Sequence, residues 1–222
     1  MKISVIIPTY NEGKTILKTI KEVLKQKAVG EVIIVDDGSK DKSWNTLAKI
    51  DNPIIKLLRH KINKGKGAAL RTGLARVSQD YTLIQDADLE YEPRQYNNLI
   101  GKASDKNAVY GSRLKADNPF AYYRTYLGNI FVTKLCNLLF GSKLTDSYTC
   151  YKLIPTKIFK SLNLQSNGFE IEAEITAKLL KRKISVIEVP IKYKPRSYEQ
   201  GKKIKAIDAL KGALTYLKIR FS

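Results

Sequence analysis

The chain has 222 residues, 43% of them hydrophobic, which suffices for one ordinary domain with a real core. Lysine and arginine number 40 against 21 aspartates and glutamates, so the formal net charge is +19, and an anionic partner is expected: nucleic acid, an anionic membrane surface or a phosphorylated small molecule. Cys136 and Cys150 form no CxxC pattern and His60 is the single histidine, which argues against a disulfide framework, a His/Cys zinc site and a Ser-His-Asp triad.

The elements read in chain order as strands alternating with helices. Ile3 to Ile7 is a short β-rich run stopped by Pro8 and followed by Thr9-Tyr10-Asn11-Glu12-Gly13. Helical spacing marks residues 14–27 through Ile16, Ile20, Val23 and Leu24. A strand from Val32 to Val35 ends in Asp36-Asp37-Gly38-Ser39, and a helix follows through Trp44 and Leu47. Ile54 to Leu58 is a third strand, and Asn63-Lys64-Gly65-Lys66-Gly67 opens a helix carrying Ala69, Leu70, Leu74 and Val77. Tyr81 to Gln85 is the next strand; a helix begins near Pro93, a favourable first helical residue, and Ala108-Val109-Tyr110 gives another short strand. This alternation predicts an α/β fold with a mainly parallel central sheet and helices on both faces. No linker or repeat divides it. The opening Met1 to Pro8 is broken too soon for a signal peptide, and no window reaches the apolar length of a membrane span, so a soluble or peripheral protein is expected.

In a parallel sheet the loops after successive strands meet at one edge, where ligands bind. Tyr81 to Gln85 runs into Asp86, Asp88 and Glu90, three carboxylates at alternate positions. On an extended segment these point the same way and suit Mg²⁺ or Mn²⁺, although a solvated acidic loop would carry the same pattern. Asp36 and Asp37 suit either a turn with a helix cap or a nucleobase and ribose contact. The loop of Lys64, Gly65, Lys66 and Gly67 lacks the spacing of a Walker A or GxGxxG motif. Its glycines expose backbone N–H groups before a helix, and its lysines suit phosphate.

Taken together, Val5-Ile6-Ile7-Pro8-Thr9-Tyr10-Asn11-Glu12, Val35-Asp36-Asp37-Gly38-Ser39, Asn63-Lys64-Gly65-Lys66-Gly67 and Asp86-Ala87-Asp88 resemble the nucleotide-sugar half of glycosyltransferase family 2, inverting enzymes of the GT-A fold. Gly111-Ser112-Arg113, Arg124, Asp146, Tyr148-Thr149-Cys150-Tyr151-Lys152, Phe169-Glu170, Glu188-Val189-Pro190-Ile191, Arg196 and Gly201-Lys202-Lys203 extend the likeness to its dolichol-phosphate mannosyltransferase and polyprenol-phosphate glycosyltransferase branch. The resemblance implies one domain, with residues 1–112 as a nucleotide-sugar half and 113–222 as an acceptor half. It implies that Pro8, Tyr10, Glu12, Val35 and Asp37 hold the nucleotide, that Asp86, Ala87 and Asp88 lie along the diphosphate, and that Asp88 and Glu90 bind metal. Many relatives carry glutamine where this chain has Glu90. Arg113, Arg124, Arg196 and Lys202 match basic residues that the family places on donor and acceptor phosphates.

The expected reaction moves a hexose from a nucleotide sugar, of GDP-mannose, UDP-glucose or UDP-N-acetylhexosamine type, to a polyprenyl phosphate at the cytoplasmic face of a membrane. Asp88, Arg113 and Arg124 are the expected catalytic residues. A phosphate acceptor is already an anion and needs cations more than a base. A sugar-hydroxyl acceptor, the rival reading, would need a base, for which Glu170 and Asp146 are the candidates. The spacing of Ile171, Ile175 and Leu179 predicts a helix on which Glu170 and Glu174 share a face, and Glu172 and Glu174 belong either to the site or to an exposed acidic face. Residues 119–140, from Pro119-Phe120-Ala121-Tyr122-Tyr123 to Phe140, are aromatic and amphipathic. The last helix aligns Ile204, Ile207, Leu210, Leu214, Leu217 and Phe221, with Lys203, Lys205, Lys211, Lys218 and Arg220 mostly elsewhere. Such a helix either lies on an anionic membrane or a membrane partner protein, or caps the domain's own core. No RNP, helix-turn-helix or zinc-finger pattern supports nucleic acid as the partner.

Overall fold

A computed structural model describes residues 1–119, 122–204 and 206–222. Phe120, Ala121 and Lys205, named above in the two amphipathic segments, lie outside the described residues. The architecture is α/β. Seven strands, β1 (Ile3–Thr9), β2 (Val29–Asp36), β3 (Ile55–Arg59), β4 (Tyr81–Ile84), β5 (Asn107–Ser112), β6 (Lys152–Pro155) and β7 (Ser185–Pro190), form one sheet in the order β3-β2-β1-β4-β6-β5-β7. All run parallel except β6, which pairs antiparallel with both β4 and β5. The helices are α1 (Ile16–Leu24), α2 (Ser43–Leu47), α3 (Lys66–Leu74), α4 (Tyr96–Ile100), α5 (Tyr123–Phe140), α6 (Thr156–Ser161), α7 (Ile171–Lys181) and α8 (Ala206–Phe221).

The apolar runs of β1, β2 and β4 are continuous rather than alternating because both faces of this sheet are covered, and Val5, Ile6, Ile33, Ile34 and Leu83 are wholly buried. Pro8 does not stop β1, which continues to Thr9. The Gln85 amide donates to the Ile6 carbonyl while the Asp37 amide donates to the Thr9 carbonyl, so odd residues of β1 face β2 and even ones face β4. The imide nitrogen of Pro8 therefore faces the side on which β4 has already ended at Ile84, and its missing donor costs nothing. Val35 is wholly buried in the core, so its side chain does not face a nucleotide.

A second, smaller core joins α5, α7 and α8 through Val132, Cys136, Ala173, Ala177, Tyr216 and Ile219. The inward residues of α8 are thus Ala213, Tyr216 and Ile219, not the stripe picked out by the sequence. Ile207, Leu210, Leu214, Leu217 and Phe221 face outward, as do Tyr123, Leu127, Phe131 and Leu138 of α5. The helix does cap the domain's own core, but through its three inward residues, and the stripe from Ile207 to Phe221 stays exposed. No helix among the described residues is long and apolar enough to cross a membrane.

Candidate active site

The carboxyl ends of β1, β2, β4, β5 and β7, with the start of the antiparallel β6, meet at one edge. There they enclose a cavity of about 1100 Å³. Pro8, Tyr10, Glu12 and Asp37 line it from the first two strands, Lys66 from α3, and Asp86, Ala87, Asp88 and Glu90 from the loop after β4. Arg113, Arg124, Arg196 and Lys202 line it from the second half of the chain. The cavity takes in every residue expected to hold donor, metal or phosphate groups except Val35, Asp36 and Lys64, and the two base candidates Asp146 and Glu170 do not line it.

The acidic loop is not the extended segment that its alternate spacing suggested. Residues 87–90 form a turn with Leu89 in the left-handed region at φ 64°, and the Glu90 amide donates back to Asp88 Oδ1 (3.1 Å). A buried amide fixes where that turn begins. Gln85 Oε1 accepts from the hydroxyls of Tyr96 (2.8 Å) and Tyr151 (2.7 Å), and Gln85 Nε2 donates to the Asp86 carbonyl.

Each carboxylate of the turn has its own partner. Asp86 Oδ1 is 2.7 Å from Lys66 Nζ, and Asp88 Oδ2 is 3.1 Å from Arg196 Nη2. Glu90 is buried and accepts from the Tyr193 hydroxyl and the Arg196 amide, both at 2.6 Å. Glu90 thus anchors the 193–196 segment, and Asp86 and Asp88 keep the more accessible oxygens. Among the described residues no three acidic, histidine or cysteine side chains already converge at coordinating geometry. The donor set nevertheless fits a hard divalent cation. Burial and the charges of Asp86 and Glu90 push the Asp88 carboxyl up to about 7 against the pull of Arg196, a surplus of negative charge that such an ion would relieve.

The segment that carries Arg196 arches across to β1. Arg196 donates from both terminal nitrogens to Glu12 at 3.0 Å, and Lys203 pairs with the same carboxylate. Glu12 is buried, which raises its pKa, but Arg196 and Lys203 outweigh that and hold it below the usual range. Lys202 sits over the Tyr122 ring (5.9 Å). Burial, helped by Arg113 and Arg196, lowers its pKa.

Arg113, at the end of β5, is held by Asp146. The guanidinium donates to both carboxylate oxygens at 2.7 and 2.8 Å, the Arg113 amide adds a third bond, and Asn129 a fourth. Asp146 is itself placed by Glu188 of β7, which accepts its backbone amide. Burial works against the Asp146 carboxylate, yet Arg113 holds its pKa below the ordinary value. That makes it the orienting partner of an arginine and a poor base. Arg124 stands exposed on the first turn of α5.

Asp37 has both oxygens engaged by the loop after β3: His60 Nδ1 lies 2.6 Å from Oδ1, and the amides of Lys64 and Gly65 donate to the carboxylate. The glycines before α3 are likewise spoken for. A Cβ on Gly65 (φ 99°) would come within 2.4 Å of the Asn167 carbonyl oxygen, and one on Gly67 within 2.4 Å of that of Ser166, while the Ala68 amide donates to Asn167. These glycines admit the 166–168 loop to the start of the helix, where the sequence suggested a phosphate cradle.

Of the two readings of the α7 glutamates, the exposed acidic face is overturned. Glu174 is buried and accepts from the amides of Gln165 and Ser166 and from Lys178. Glu170 Oε1 caps the Gly168 amide. Glu172, only 2% exposed, lies between Lys66 (3.0 Å) and the wholly buried Lys152. The sequence offered one hint of this, a lysine heading the otherwise apolar run Lys152-Leu153-Ile154-Pro155, which needs a buried anion somewhere.

Residues 4–162 match the model of the family described as glycosyl transferase family 2. The chain belongs to that family. It is 29% identical over 213 residues to a dolichol-phosphate mannosyltransferase of Pyrococcus furiosus, covering 91% of this chain and 59% of that protein, so it spans well under two thirds of that relative's length. It is 30% identical over 215 residues to a UDP-N-acetylglucosamine–dolichyl-phosphate N-acetylglucosaminyltransferase of Methanococcus voltae, covering 86% of this chain and 84% of that one. In fold it is similar to glucosyl-3-phosphoglycerate synthase of Mycobacterium tuberculosis, crystallised with Mn²⁺, uridine diphosphate and phosphoglyceric acid. That likeness has a TM-score of 0.76 at 19% identity and covers 99% of this chain and 78% of that one.

Proposed function

We propose that this glycosyltransferase moves a hexose from a nucleotide sugar to a polyprenyl phosphate at a membrane surface, with a divalent cation. The observation that carries the reading is the make-up of the cavity at the strand ends. Its floor is a carboxylate and cation cluster at the strand ends, and its lining continues through Tyr122, Tyr126, Val132 and Ile204 of the α5 and α8 region, beside the outward apolar stripes of both helices. A substrate with a charged head and a hydrocarbon tail matches both parts. The names of the Pyrococcus and Methanococcus relatives support the same acceptor class.

In this reading residues 1–112 hold the donor and 113–222 the acceptor. Asp86 and Asp88 would hold the metal, which when bound supplies a Lewis acid against charge on the leaving diphosphate. Lys66 and Arg196 add fixed positive charge to the same place. Arg113, rigidly aimed by Asp146, and Arg124 offset the repulsion between two phosphate-bearing substrates. The acceptor phosphate brings its own negative oxygen, so the pairing of Asp146 with Arg113 leaves no need for it as a base. The basic, outward-facing apolar stripe of α8, with Lys211, Lys218 and Arg220 exposed beside it, suits an anionic lipid surface.

The test is transfer from a panel of nucleotide sugars to polyprenyl phosphate in liposomes, with Mg²⁺, Mn²⁺ or chelator. Metal-dependent product from one donor is expected. Donor hydrolysis without lipid product would move the acceptor to a glycan, and a donor that neither binds nor reacts would overturn the reading.

A further inference from the structure

Asp86, Lys66, Glu172 and Lys152 form, in that order, an alternating chain of charges running from the cavity into the interior. Lys66 Nζ stands 2.7 Å from Asp86 Oδ1 and 3.0 Å from Glu172 Oε1, with its side chain 12% exposed at the cavity wall. Glu172 Oε2 is taken by Lys152, whose ammonium also donates to the Thr149 carbonyl and lies 4.9 Å from the centre of the Tyr110 ring. Lys152 has no exposed surface, so it cannot leave its carboxylate for a ligand in the cavity.

The arrangement is asymmetric in its consequences. A buried ion pair alone is a poor stabiliser, because desolvation offsets most of the attraction, and well-packed apolar residues serve as well. Glu172 does something that an apolar residue cannot. With one oxygen matched to Lys152, its second oxygen stands 3.0 Å from the Lys66 ammonium. That gives the lysine an anchor other than Asp86. Without it the whole ammonium would settle on Asp86, the carboxylate that a metal-bound diphosphate needs. The 166–168 loop, which leads into α7, packs on Gly65 and Gly67 at the start of α3, so the anchor and the lysine are held near one another by backbone packing.

We infer that Glu172, held by Lys152, is a positioning residue for the donor diphosphate: it shares Lys66 with Asp86 and so keeps both the ammonium and the carboxylate available to a nucleoside diphosphate and its cation. This rests on the donor class proposed above.

The single variant Glu172→Ala leaves the buried Lys152 charge without its carboxylate and will misfold in part. The informative variant is Lys152→Met with Glu172→Met, which removes both charges and keeps the volume. It should melt as wild type does, while its affinity for GDP or UDP in the presence of Mn²⁺, measured by calorimetry, falls about tenfold and the KM for polyprenyl phosphate stays unchanged. Lys66→Met should cause a comparable loss by itself, and adding it to the double variant should cause no further loss, because Glu172 acts through Lys66. A folded double variant that binds nucleotide like wild type, or losses that simply add, would overturn the proposal. Wild-type protein that binds neither nucleotide would instead refute the donor class on which it rests.

Discussion

Arg196 Nη2 lies 3.1 Å from Asp88 Oδ2, so the aspartate with the strongest claim to a metal already has a cation resting on it. The same guanidinium donates twice to Glu12, across the cavity from β1. In the donor-free protein Arg196 and a divalent ion therefore compete for one oxygen. Arg196→Gln should raise the affinity of donor-free protein for Mn²⁺ about fivefold, the equivalent of roughly 1 kcal/mol for a partly screened pair, in a titration followed by electron paramagnetic resonance. Sugar transfer should fall at the same time. A drop in Mn²⁺ affinity would show that the arginine supports the metal instead of competing with it.

Asp146 should behave as the keeper of Arg113. Asp146→Ala leaves a half-buried guanidinium without its bidentate partner and should cost about 3 kcal/mol in denaturant unfolding. Arg113→Gln combined with Asp146→Asn should recover most of that stability and none of the acceptor use. Were Asp146 a base, Asp146→Asn would abolish the acidic limb of the pH–rate profile. The expected result is an unchanged profile at lower rate.

Glu31, at the far end of β2 from the cavity, governs acid stability. Its burial raises its pKa, but Lys56 at 2.6 Å, the Ser4 hydroxyl and the Ser78 amide outweigh that and bring it to about 2, against an ordinary 4.5. A carboxyl with a depressed folded pKa adds stability that is complete above its unfolded pKa and is lost as protons bind. The contribution, about 2 kcal/mol, should therefore be whole above pH 4.5 and vanish as pH falls toward 2. Glu31→Gln should remove it at neutral pH and flatten that part of the stability profile, measured by urea unfolding at several pH values.

Leu210 and Leu214 are 55% and 57% exposed on α8. Leu210→Glu with Leu214→Glu should leave thermal stability within about 0.5 kcal/mol of wild type, because neither side chain packs inward. Binding to anionic vesicles in a flotation assay should weaken at least about tenfold. Unchanged flotation would place the lipid contact elsewhere.

The sequence made the parallel half of the sheet and the identity of the loops plain, since β1, β2 and β4 are continuous apolar runs that end in polar, glycine-containing loops. It said less about what those polar residues touch. Glu172 looked like a solvated helix residue because its partners, Lys66 and Lys152, are 106 and 20 positions away, and spacing along a helix carries no trace of them. Asp86 and Glu90 looked like neighbours on an extended strand because nothing local announces that Leu89 adopts a left-handed backbone. Asp37 was legible as a site residue by position, while its engagement by His60, Lys64 and Gly65 depends on how two loops fold over one another.

β4 and β5 follow one another in the chain, yet they do not pair; β6, made some forty residues later, lies between them with its direction reversed. A nascent chain leaving the ribosome must therefore keep two sticky strand edges apart until Lys152–Pro155 has emerged. Premature pairing of β4 with β5 would trap the molecule with β6 shut out of the sheet. α5 is synthesised inside that interval, and folding of this protein should be slower than its size suggests.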